Sequence, residues 1–156
     1  MINSLNKTFL STSTYRNRNW FILDCKNQKL GRLATIVTAL LKGKVKSSYF
    51  PSIDCGDYVI LINADSIIIN KESKQYIVSN PGRPGHSLKI KKTVDCISHF
   101  NIRCAVKGML SETETKRLMR RLKIYNTQDH LHQAQNPVKL DVNNLYSHFQ
   151  SNEKIK

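Results

Sequence analysis

The 156 residues suffice for one domain with its own core, and 40% hydrophobic content is ordinary for a globular chain. Twenty-five basic residues against 11 acidic ones give a net charge of +14, more than solubility needs and suited to nucleic acid or an anionic membrane surface. No apolar run approaches the ~20 residues of a membrane span. A lipidation signal and a long aromatic-rich amphipathic helix are both missing, which leaves nucleic acid well ahead. Cys25, Cys55, Cys96 and Cys104 are scattered without a C-x-x-C pair, which argues against a zinc ribbon and for buried, reduced thiols.

The first 23 residues hold no acid and many Ser, Thr, Asn and Arg. Composition alone fits either a transit peptide or a basic arm of the mature protein. Abundant Lys, Asn and Ile point to an AT-rich gene, as in an organelle or some bacteria. Trp20-Phe21-Ile22-Leu23 predicts a buried strand. Leu30, Leu33, Ala34, Val37 and Leu41 recur at helical spacing, and Gly43 supplies the stop. Tyr58-Val59-Ile60-Leu61-Ile62 predicts a second strand, followed by a turn at Asn63-Ala64-Asp65. Ile67-Ile68-Ile69 reads as a further β segment, and Tyr76-Ile77-Val78 as a short one.

The run Asn80-Pro81-Gly82-Arg83-Pro84-Gly85 is a loop signal leading into Lys89, Lys91 and Lys92. Thr93 is placed to cap a helix carrying Val94, Ile97 and Phe100. Ala105 to Leu110 reads as a turn feeding a second helix, whose start carries the S-x-x-E capping pattern in Ser111 and Glu114. On that helix Thr115, Leu118, Met119 and Leu122 share one arc, while Lys116, Arg117, Arg120, Arg121 and Lys123 lie opposite. A solvated face usually mixes signs; like charges this dense suit phosphate. The order strand, helix, strands, helices predicts an α/β domain.

Other constellations are weaker. Gly31 lacks the G-x-G-x-x-G context of a dinucleotide loop, and close helix–strand packing is the expected reason for it. Asp54 and Asp57 flank Gly56 and suit a turn in which each carboxylate accepts backbone N–H bonds better than a Mg²⁺ pair. His130 and His132 lack further ligands at metal spacing.

Several motifs together resemble the large-subunit ribosomal protein L-thirteen family. They are Trp20 with a strand ending at Asp24, Leu30-Gly31-Arg32-Leu33-Ala34-Thr35, Gly43-Lys44, Tyr49, Pro51, Asp54-Cys55-Gly56-Asp57-Tyr58 and Asn63-Ala64-Asp65. Ala105 to Leu110, Leu122-Lys123-Ile124-Tyr125, His130-x-His132, Ala134-Gln135 and Pro137 complete the set, which runs from about Lys7 to Asp141. Ser111 and Thr115-Lys116 depart from the family, which commonly has Pro and Gly-Arg there.

The resemblance implies a three-layer α/β/α domain around a mostly parallel sheet at 20–142, with a basic arm at 1–19 and a polar tail at 143–156. It implies no catalysis, cofactor, metal, membrane or small-molecule substrate. Its implied partners are large-subunit ribosomal RNA and neighbouring ribosomal proteins, with a role in subunit assembly. The expected RNA contacts are Lys44, Lys46, Arg83, Lys89, Lys91, Lys92, Lys107, Lys116, Arg117, Arg120, Arg121 and Lys123. Lys7-Thr8-Phe9 matches the start of bacterial-type members, so the arm is expected to be family sequence and not a transit peptide. With the AT-rich composition this points to a plastid, with the bacterial cytoplasm as runner-up. Competing readings are a nucleic-acid-binding regulator acting off the ribosome and a Mg²⁺-dependent nuclease using Asp54 and Asp57.

Overall fold

Two apolar runs form the centre of the molecule. In the computed structural model, which describes residues 17–70, 74–78, 85, 88–92 and 96–142, β1 (Trp20–Asp24) pairs in parallel with β2 (Tyr58–Ile62). β5 (Leu122–Ile124) adds to β2, and β6 (Val138–Leu140) adds to β1, both in parallel. The resulting order is β5-β2-β1-β6. Alternation along the strands divides the core. Leu23, Val59, Leu61 and Leu122 face a helical layer, while Ile22, Ile60 and Ile62 form a smaller cluster with Trp20 and Tyr125. The predicted α/β architecture with a parallel sheet is present.

Helix α1 (Leu30–Lys42) buries Leu33, Ala34, Ile36, Val37, Leu40 and Leu41. It ends at Gly43, whose φ of 77° closes a Schellman turn: the Gly43 and Lys44 N–H groups donate to the carbonyls of Leu40 and Ala39. Ile67–Ile69 does not make the expected strand. It contributes a single bridge from Ile68 to Lys29, and the Ile68 carbonyl accepts the Leu30 N–H at the start of α1. β3 (Lys74–Val78) contains the predicted Tyr76–Val78 segment and forms an antiparallel ribbon with β4 (Leu88–Lys92).

Helix α2 (Ser98–Met109) packs beside α1 through Ile102 and Val106. Ala105 to Met109 is therefore its last stretch and not a separate turn, because Gly108 is accommodated without breaking the hydrogen-bond ladder. Thr93 and Val94, the expected cap and first turn, lie outside the described residues. Helix α3 is short, Glu112–Leu118. Ser111 sits at its N-cap position, but its hydroxyl bonds the Glu114 carboxylate (2.7 Å) instead of the helix backbone. The expected helix through Lys123 stops there. Arg121 turns inward, and Leu122 pairs with Val59 in the sheet.

Gly31 also differs from expectation. A Cβ there would meet nothing within 4 Å, so close packing is not its role. Close packing is instead the role of Gly43 and Gly56. A Cβ on Gly43 would lie 2.7 Å from the Cys55 carbonyl group, and one on Gly56 only 1.7 Å from the Leu41 oxygen. These two glycines let the end of α1 and the Asp54–Asp57 turn touch backbone to backbone.

Candidate nucleic-acid interface

Four of the predicted basic residues line an open groove, and three others, Lys46, Arg117 and Arg121, pair with carboxylates. The groove lies between α2 and the α3–β5 segment and has a volume of about 950 Å³. On α2, His99, Phe100, Arg103, Cys104 and Lys107 recur at helical spacing and line one wall. Thr115, Lys116, Met119 and Arg120 line the other, with Leu122, Lys123, Ile124 and Tyr125 beyond. Arg103, Lys107, Lys116 and Arg120 are exposed, and among the described residues no acid lines the groove. The His99 imidazole is held below its usual pKa, first by burial and then by the Arg103 charge.

Four predicted contact residues thus come together in the groove: Lys107, Lys116, Arg120 and Lys123. Arg103, His99, Phe100 and Tyr125 were not predicted. Arg103 stands four residues before Lys107 on the same helix face, and that spacing would have found it. Lys44 is exposed just past α1, away from the groove lining. Lys89, Lys91 and Lys92 lie on β4, and Arg83 lies outside the described residues.

Arg121 is a correction. It is only 4% exposed, and both terminal nitrogens bond Asp54: Nη1 to Oδ1 at 2.7 Å and Nη2 to Oδ2. Nη1 also donates to the Gly56 carbonyl at 3.3 Å. Inside the fold and matched to a carboxylate, Arg121 holds structure together and presents no surface to RNA. Arg117 is exposed, with its Nε 3.3 Å from the same carboxylate, and Arg18 Nη2 is 3.4 Å away. Burial works to raise the Asp54 pKa, but hydrogen bonds from Arg121, its charge, the charge of Arg117 and the Gly56 N–H outweigh it. The carboxyl is held below its ordinary value.

Lys46 is a second inward residue. Its ammonium lies 2.6 Å from Asp57 Oδ1 and donates to the carbonyls of Cys55 (3.1 Å) and Asn17 (3.0 Å). Asp57 Oδ1 also accepts the Asn19 N–H at 2.8 Å, and Asp54 Oδ1 accepts the Gly56 N–H at 3.4 Å. The two carboxylates therefore secure a turn through backbone N–H groups and internal cations. A Mg²⁺ ion would have to displace those cations.

On the far side of the sheet the Trp20 and Tyr58 rings, register partners on adjacent strands, stack at 4.2 Å. His132 packs against Trp20 at 5.1 Å and edge-on to Tyr125 at 6.0 Å, and the Tyr125 and His130 ring centroids are 6.5 Å apart. The two histidines thus contribute ring packing. Cys25 and Cys55 are buried as expected, and burial pushes the Cys25 thiol up to about 12. Cys96 and Cys104 are only half-buried.

Comparison with known proteins agrees with the motif-level resemblance. Residues 18–131 match the family described as Ribosomal protein L13. The chain is 46% identical over 138 residues to large ribosomal subunit protein uL13c of Trieres chinensis, covering 88% of this chain and 98% of that one. It is 39% identical over 148 residues to uL13 of Synechococcus elongatus, covering 88% and 95%. It is 38% identical over 141 residues to uL13 of Thermoanaerobacter sp. strain X514, covering 87% and 99%. With a family match over most of its length and near full-length relatives, this chain belongs to the ribosomal protein L13 family.

Proposed function

We propose that this chain is a structural constituent of the large ribosomal subunit, working in a plastid ribosome. It binds large-subunit ribosomal RNA, sits among neighbouring ribosomal proteins, and supports subunit assembly and translation without catalysis of its own. The observation that carries this reading is the near full-length similarity to uL13c and to bacterial uL13 proteins. The plastid assignment rests on the uL13c relative, the cyanobacterial ones and the AT-rich residue usage.

The acid-free groove supports the RNA side of the reading. Lys107, Lys116, Arg120 and Lys123, joined by Arg103, make a concave positive strip. Lysine and arginine placed this way neutralise phosphates and release their condensed counterions. The exposed Lys44 extends the proposed contact, and so do Arg83, Lys89, Lys91 and Lys92. Arg117 takes part only so far as its tie to Asp54 allows.

The test is sucrose-gradient fractionation of organelle lysate, probed for this chain before and after a high-salt wash. Retention with the large subunit after the wash is expected. Complete release into the soluble fractions would favour a regulator acting off the ribosome. RNA turnover by the purified chain that is abolished in EDTA and in Asp57→Asn, with stability unchanged, would install the nuclease reading instead.

A further inference from the structure

The groove contains more than a phosphate strip requires. A duplex backbone is convex and needs only charge, yet this surface is concave and partly apolar. Its rim is cationic, while Cys104, Met119 and Ile124 behind the rim are half-buried. On the α2 wall Phe100 is left 41% exposed, one turn before the exposed Arg103. Volumes near 950 Å³ lie within the ~300–1,000 Å³ range of sites that enclose a small ligand. An aromatic face beside a row of cations suits a polymer that carries a flat base on every charged link.

We propose that the α2–α3 groove takes an unstacked base of single-stranded RNA. The base lies on Phe100 over the apolar floor, and the flanking phosphates meet Arg103, Lys107, Lys116 and Arg120. The proposal deepens the RNA-binding reading above and rests on it. It adds that the groove reads an extruded base, where the general reading asks only for phosphate. Charge complementarity favours this occupant: among the described residues no acid lines the groove, so neither a basic peptide nor a cation is matched.

The experiment uses the purified full chain and three probes of equal length: single-stranded oligouridylate, an abasic strand of the same charge, and an RNA duplex. Binding is followed by fluorescence anisotropy at fixed salt. Oligouridylate is expected to bind about tenfold or more tighter than the abasic strand, since stacking on an aromatic ring contributes on that scale per base. Phe100→Leu, which keeps an apolar side chain but removes the ring, is expected to erase most of that ratio, and Phe100→Trp to preserve it. Arg120→Ala is expected to weaken both strands alike. Thermal melting of each variant separates a binding loss from unfolding.

Equal affinity for the two strands, preference for the duplex, or an unchanged ratio in folded Phe100→Leu would overturn the proposal. In those cases, salt-dependent binding that weakens in Arg120→Ala leaves the groove as a phosphate surface and the general reading stands. Absence of binding to all three probes at low salt would remove both.

Discussion

Asp54, itself partly buried, gathers three arginines, and of these only Arg121 is buried. Removing the carboxylate charge leaves a buried guanidinium without its counter-ion, a change that typically costs about 3–5 kcal/mol. Asp54→Asn is therefore expected to lose stability on that order in urea denaturation at neutral pH. The sign of the pH dependence follows from the lowered folded-state pKa. The unfolded carboxyl titrates at the ordinary aspartate value, near 3.8, and the folded one lower. The stabilisation is thus complete above the unfolded value and is lost as pH falls through the folded one. Urea midpoints of wild type and Asp54→Asn should converge in acid; a constant gap would show that the charge is not the cause. The glycines make a parallel pair at this scale. Gly31→Ala is expected to stabilise by about 0.5–1 kcal/mol, as alanine does within a helix. Gly56→Ala is expected to prevent normal folding, because its Cβ would overlap the Leu41 oxygen. Thermal melts of the two variants check both signs.

At the scale of elements, the decisive boundary is the end of α3. Leu118, Met119 and Leu122 have helical spacing, so local pattern favours one basic helix through Lys123. The chain instead leaves the helix after Leu118, buries Arg121 against a carboxylate 67 residues away and enters the sheet beside β2. No local periodicity reports a partner at that distance. The same limit hid the groove, which needs α2 and α3 side by side before Arg103 and Arg120 share a surface. What was legible locally, namely β1, β2 and α1 with its glycine stop, depends on apolar runs and capping within a few residues. Arg120 and Arg121 should now behave oppositely. Arg120→Ala is expected to lower the log–log salt slope of RNA binding by about one unit and to spare the melting temperature. Arg121→Ala is expected to lower the melting temperature first. Leu122→Ala, 7% exposed in the core, should cost about 2–5 kcal/mol. A salt slope unchanged in Arg120→Ala would mean that this wall of the groove is merely solvated.

At the scale of the whole molecule, the described residues finish the two sides of the sheet differently. One carries α1 and α2 over the main core, and the other carries packed aromatic rings over Ile22, Ile60 and Ile62. The ring stack predicts that Trp20 fluorescence reports global unfolding. Its emission should shift to longer wavelength in one transition coincident with loss of helix by circular dichroism; a separate earlier shift would mean that the aromatic side opens on its own. The family's motifs were legible in the sequence because they mark this frame: Asp54-Cys55-Gly56-Asp57 is the turn that locks α1 to β5, and His130-x-His132 lies against the aromatic side.

The strand order β5-β2-β1-β6 also sets a timetable for synthesis. The first two of its strands to be translated, β1 and β2, lie in the middle, and β5 and β6 each cover one outer edge of that pair. A nascent chain that has not yet reached Leu122 can join β1 to β2 but leaves both edges of that pair able to accept a foreign strand. Arg121 arrives immediately before β5, so the lock on Asp54 and the covering of one edge happen together. The other edge stays open until Val138–Leu140 is made. Premature termination between these two points would release a chain with a tight lock and a half-finished sheet, prone to aggregate even though most of its residues are present.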